Sequence, residues 1–199
     1  MHSDNERQYF LSTAKQHTDP LRKLDYSHPS RQSARFKGIL DALQHVDGVE
    51  SVLDVGCGFG DFYPWATAHW PSLKDYYGID IIPEFVQGAR DKYEGASWTV
   101  NTVADLPVEE AYDVAIAIGM FTKKTEGWSD LLMRTIGGMW VRARKAVAFT
   151  TLSSNMWKPR EIDATISPQD LMKLIGPGDN SFSMHRVEPP YVNITAIFK

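Results

Sequence analysis

The stretch VLDVGCGFGDF, residues 52–62, sets glycines at alternate positions, Gly56, Gly58 and Gly60, with Cys57 between the first two. Glycine is needed where the main chain turns through positive φ, or where a ligand must touch backbone with no Cβ in the way. Asp54 stands two residues before the first glycine. A carboxylate there disfavours a pyrophosphate and suits a cation. Two more acidic residues follow short apolar runs, Asp80 in YYGIDI and Asp105 in VADLP. Ionised carboxylates are pure acceptors, so they can take hydroxyl or amino protons from a ligand.

Such residues act together only if the fold brings them to one edge. From Ser51 the chain repeats a short apolar run followed by a helical stretch. SVLDVG (51–56), DYYGID (75–80), SWTVNTV (97–103), YDVAIAIG (112–119) and KAVAFTTL (145–152) read as buried strands. Helices are expected at about 60–69, 83–92 and 127–143. That alternation implies right-handed crossovers and a parallel sheet with helices on both faces. SFSMHRVE (181–188) and YVNITAIFK (191–199), separated by Pro189-Pro190, can pair as an antiparallel hairpin. The expected class is α/β: a doubly wound, mostly parallel, seven-stranded sheet ending in that hairpin. Residues 1–48 read as a helical cap, and 49–199 as the core of one compact domain. Within the cap a helix is expected over Asp4–Lys15 and a longer one from Ser30. The longer one carries Phe36, Ile39, Leu40, Leu43 and Val46 at helical spacing.

A glycine loop after the first strand lies at the topological switch point of a doubly wound sheet, where ligands bind. A dinucleotide site would show G-x-G-x-x-G. Here the third glycine comes one residue early. S-adenosylmethionine (SAM) carries an ammonium and a sulfonium, and it matches the sign of Asp54 where NAD does not. With these residues in place, D-x-G-x-G-x-G after strand one resembles the first motif of class I SAM-dependent methyltransferases. That resemblance covers residues 50–152 well. It implies that Asp80, followed by Ile81, accepts both ribose hydroxyls. It also implies that Asp105 bonds the adenine amino group beside the Leu106 backbone, and that the strand ending at Gly119 faces the methyl group. HPSRQSARF (28–36) is similar to a helix that precedes the first motif in bacterial members and packs over the cofactor. Arg31 or Arg35 would then meet the methionine carboxylate.

No motif singles out a catalytic residue. His28 and His185 are the histidines a base could come from, although a structural role is the expectation for each. Cys57 has no visible base and reads as a loop residue. Arg142, Arg144 and Lys145 read as charge at a helix C-terminus rather than a phosphate patch. Asn155 and Trp157 follow the fifth strand and could line a substrate mouth. Gly119-Met120-Phe121 stands where enzymes that methylate nucleic-acid amino groups keep N/D-P-P-Y. A small-molecule O- or N-methyl acceptor is therefore expected.

Composition narrows the classes further. A net charge of -4 over 199 residues disfavours nucleic-acid binding. The chain has no run of about 20 apolar residues that could span a bilayer, and no Cys/His cluster for a metal. One cysteine allows no internal disulfide, which suits a cytoplasmic location. Beside an active methyltransferase, a SAM-binding sensor or partner subunit and a nicotinamide oxidoreductase on a related sheet are the alternatives.

Overall fold

Strand β1 (Ser51–Val55) is buried at every position, and it sits in the middle of the sheet. The computed structural model describes residues 4–155, 158–175, 182–187 and 192–199. β1 pairs in parallel with β2 (Asp75–Asp80) on one side and β4 (Tyr112–Phe121) on the other. β3 (Ser97–Val100) extends the sheet beyond β2, and β5 (Ala143–Ser153) extends it beyond β4, both in parallel. The last two strands, β7 (Phe182–Val187) and β8 (Val192–Phe198), form the expected antiparallel hairpin, with β8 against β5. The order is β3-β2-β1-β4-β5-β8-β7, and a two-residue strand, β6 (Thr165–Ile166), pairs with the end of β5. Pro189-Pro190 lie outside the described residues. This is the doubly wound, mostly parallel sheet that the residue pattern implied.

Helices cover both faces. α3 (Pro29–Ala42), α4 (Tyr63–His69) and α5 (Pro83–Lys92) lie on one, and α6 (Trp128–Arg142) and α7 (Pro168–Ile175) on the other. Alternation along β5 divides the core: Ala146 and Ala148 face α3, while Val147 and Phe149 face α6. The apolar stripe is buried through Phe36, Ile39 and Leu40 of α3 and Leu43 at its C-cap, while Val46, expected on the same helix, lies beyond its end and is partly covered. Each such side chain contributes about 1.5–3 kcal/mol. α3 is therefore part of the core. What lies over the site is α1 (Asp4–Gln16), the single turn α2 (Pro20–Lys23) and the loop that follows it. Phe10 and Ala14 of α1 pack on Phe59, Ile82 and Phe85.

The sequence reading contained neither β6 nor α7. α7 had a local signal in Ser167-Pro168-Gln169-Asp170. Ser167 Oγ accepts from the Asp170 amide and donates to the Asp170 carboxylate, and proline takes the first helical position.

Candidate active site

The turn after β1 is built by main-chain hydrogen bonds. The Gly56 and Cys57 amides both donate to the Ile79 carbonyl, at 2.8 and 3.0 Å, folding the loop over the end of β2. Gly56, Gly58 and Gly60 take φ of 72°, 56° and 74°, the left-handed region that side chains disfavour. They serve different ends. Gly56 and Gly58 line a cleft of about 400 Å³, whereas Gly60 lies outside it. A Cβ on Gly60 would meet the Trp98 ring at 2.6 Å, so that glycine is there for close packing.

Asp80 fastens this loop to the next one. Its Oδ2 accepts from the Gly58 amide and its Oδ1 from the Ile82 amide, both at 2.9 Å. Each oxygen keeps lone-pair capacity toward the cleft. Asp54 accepts a 2.6 Å hydrogen bond from the Tyr76 hydroxyl. Both carboxylates are buried and line the cleft. Among the described residues neither is paired with a lysine, arginine or histidine within ion-pair distance. Burial pushes Asp54 up to about 7, against the Tyr76 hydrogen bond, with the Asp80 charge adding to the rise. Burial raises Asp80 to about 6, opposed by the amides of Ile82, Gly58 and Ile81. The same burial, with Asp80 and Asp54 nearby, drives the Cys57 thiol well above its ordinary value. Burial of this kind disfavours the thiolate that a nucleophilic cysteine needs.

The other walls come from three places. Asp105, in the loop after β3, is exposed at the rim and accepts from the Thr102 hydroxyl at 2.7 Å. Ile81 and Gly119 line the cleft, but Leu106 is core, and its carbonyl is taken by Arg142. At Gly119, φ is 84° and the β4–β5 register shifts between Ala117 and Phe121. The Gly119 amide donates to Thr150 Oγ1, and β4 opens into the cleft. The third wall is Phe10, Leu24 and Tyr26 of the cap.

On α3 it is Gln32 and Phe36 that line the cleft. Arg31 is exposed and outside the lining. Arg35 is half-buried and stands behind the wall, its guanidinium 4.9 Å from the Tyr26 ring centroid and Nη1 donating to the Tyr26 hydroxyl at 3.3 Å. Its Nε has no partner among the described residues. His28 caps α3 by accepting from the Ser30 amide and stays outside the cleft. The side chain of His185 and all of Trp157 lie outside the described residues, and Asn155 is exposed and not in the lining. Arg142, Arg144 and Lys145 are all used within the fold. Arg142 bonds the Gly138 carbonyl of its own helix, Arg144 meets Asp113, and Lys145 meets the carbonyls of Asp47 and Gly48.

Sequence reasoning missed a cluster beside the mouth. Lys123, just beyond β4, is 2% exposed and bonds Asp25; Asp163 lies 3.8 Å away. Arg160 bonds both carboxylates, at 2.8 Å each for the nearest contacts. Burial would raise the Asp25 carboxyl, but the Arg160 and Lys123 hydrogen bonds and charges outweigh it and hold the group below its ordinary value. The four residues span 139 positions of sequence and carry no local motif, so only the folded chain brings them together.

Comparison with known proteins finds relatives of this fold. Residues 52–135, from β1 into α6, match the family model described as "Methyltransferase domain". That segment, 84 of the 199 residues, is similar to a methyltransferase domain. A Mycobacterium tuberculosis protein named as a methyltransferase is 26% identical to it over 108 residues, 52% of this chain and 64% of that one. The matched region thus spans less than two thirds of the relative. Among solved structures, magnesium protoporphyrin IX methyltransferase from Synechocystis, with S-adenosylhomocysteine bound, superposes with a TM-score of 0.72. It covers 98% of this chain and 99% of its own at 16% identity. Burkholderia thailandensis 1,6-didemethyltoxoflavin-N1-methyltransferase gives 0.68, covering 97% and 86% at 15% identity. At such identities the likeness establishes the fold, which is the Rossmann-like methyltransferase fold.

The raised carboxylates of this cleft imply a pH dependence. A cationic ligand favours ionised Asp54 and Asp80, so binding below about pH 7 must displace protons. Affinity for such a ligand is expected to weaken as pH falls from 8 to 5.5, by about tenfold or more. Calorimetry in buffers of different ionisation enthalpy should record proton release near pH 6.5. Stability without ligand runs oppositely. Both folded-state values lie above 3.8, so the contribution is full below 3.8 and lost as pH rises through about 6 to 7.

Proposed function

We propose that this protein transfers a methyl group from SAM to an oxygen or nitrogen of a small molecule. The observation that carries the reading is the pair of buried carboxylates, Asp54 and Asp80, lining a cleft over bare glycine backbone with neutral partners only. A buried charge is costly until it is paired, and an ammonium and sulfonium supply the missing sign.

On this reading Asp54 faces the ammonium, Asp80 takes the two ribose hydroxyls, and Asp105 with Ile81 holds the adenine. Gly56, Cys57 and Gly58 present main chain to the methionine tail. Arg35, with an unpartnered Nε and no acidic partner among the described residues, is better placed than the exposed Arg31 for the carboxylate. When bound, SAM supplies a methyl group already activated by the sulfonium. The protein's part is to align the acceptor and exclude water. Leu24, Tyr26 and Met120 wall the rest of the cleft, and a mainly apolar small molecule fits that lining. Two structures of the same fold are named for methylation of small molecules. The buried thiol of Cys57 suits a reducing compartment, and the proposal places the enzyme in the cytoplasm.

Thermal denaturation with SAM, S-adenosylhomocysteine, NAD or NADP tests the cofactor. The first two should each stabilise the protein by about 2.7 kcal/mol at 100 times their dissociation constants. Stabilisation by the nicotinamides alone would refute the reading. Incubation with methyl-labelled SAM and a small-molecule extract should then put label into the extract rather than into added RNA or protein.

A further inference from the structure

Resting on the SAM reading, we propose that Tyr26 is the residue at the reacting end of the site, its hydroxyl standing against the transferable methyl group and fixing its direction. The placement follows from connectivity. With ribose hydroxyls at Asp80, at the end of β2, and the ammonium at Asp54, in β1, the sulfur would lie over the end of β1. Two of its three substituents would run to those carboxylates. The third would be left the side where the cleft continues, at the end of β4. Gly119 lines that side, and a Cβ on it would stand only 2.9 Å from the Tyr26 hydroxyl oxygen.

Tyr26 is 7% exposed and lines the cleft. Its oxygen receives Arg35 Nη1, but its own proton has no acceptor among the described residues. A buried tyrosine hydroxyl ordinarily finds a full set of partners. One lone pair of the oxygen and its proton are therefore left for what enters the cleft. A methyl on a sulfonium has polarised C–H bonds that such an oxygen can accept.

The ring is held from two sides. Arg35 stacks over it. Its chain neighbour Asp25 sits at φ 60°, a conformation that persists only where the surroundings impose it. Here they are Lys123 and Arg160, which bind Asp25 while Arg160 also binds Asp163. Lys123 Nζ lies 4.8 Å from the Tyr9 ring centroid, tying α1 into the same clamp. The two cations and two carboxylates cancel, so the cluster presents little net charge to the acceptor. Its effect is to fix where Tyr26 stands.

The test uses the whole protein and SAM labelled with ¹³C in its methyl group. Tyr26→Phe removes the oxygen and keeps the ring. It should bind SAM within about twofold of the parent, while the bound methyl resonance moves away from its parental position. Asp25→Asn tolerates the same φ but loses the charge that both cations meet. Its methyl resonance should move toward the Tyr26→Phe position. An unmoved resonance in Tyr26→Phe, or a tenfold loss of SAM affinity there, would overturn the assignment, the latter by putting the hydroxyl on the cofactor's tail. An unmoved resonance in Asp25→Asn would overturn the clamp's role. Failure of the parent itself to bind SAM would defeat the cofactor reading, a result distinct from all of these.

Discussion

Replacing Asp80 by alanine is expected to weaken SAM binding by about 100-fold or more. Hydrogen bonds to a charged group contribute about 1.5–3 kcal/mol each, and the proposed ribose contact has two of them. The variant also strips the Gly58 and Ile82 amides of their shared acceptor. The loop after β1 then loses its fastening to the loop after β2, so the affinity loss combines a missing contact with a slackened floor. Isothermal calorimetry reads the loss, and circular dichroism at the same temperature establishes that the sheet is intact. Equal affinity in a folded Asp80→Ala would remove Asp80 from the ribose role.

A second substitution is expected to abolish binding altogether. In Gly58→Val the new side chain must adopt φ near 56°, where a β-branched residue is strained, and its Cβ would lie 3.0 Å from Leu24 Cδ2. The branch enters the cleft between the glycine loop and the cap, where the cofactor would touch main chain. Strain of this kind costs about 1–2 kcal/mol, a fraction of the roughly 5–15 kcal/mol of a typical domain. The variant should therefore fold and still show no heat of SAM binding. A Gly58→Val protein that binds as tightly as its parent would move the ligand out of this cleft.

The parts of the site legible in sequence are those fixed by local chemistry at strand ends. Asp54, Gly56, Gly58 and Asp80 each follow from a strand pattern that breaks into a turn, and the fold sets them around one cleft. Local pattern did not separate the duties of the glycines. Gly60 reads like the other two in sequence, yet its partner is Trp98, distant in the chain. Arg31 and Arg35 lie four positions apart on the same side of α3, and neither lines the cleft; what separates them is the Tyr26 loop, which covers Arg35 and leaves Arg31 exposed. Tyr26 was not legible at all. Its importance comes from an irregular loop held by Lys123, Arg160 and Asp163, and residues so far apart in sequence leave no periodic trace. α7 was missed despite its Ser-Pro start because the surrounding segment is rich in turn formers.

The position of β8 between β5 and β7 governs the sequence in which the architecture can assemble. β7 emerges from the ribosome before β8, yet its pairing is with β8. It stays unpaired until the later strand has emerged. α3 emerges earlier still, and part of its apolar face rests on β8 and β7. An early helix is thus sealed by a strand about 150 residues later, a long-range closure of the kind that slows folding. Chain arrested before Val192 would display the α3 stripe and an open β5 edge, the surfaces a chaperone binds and an aggregate recruits.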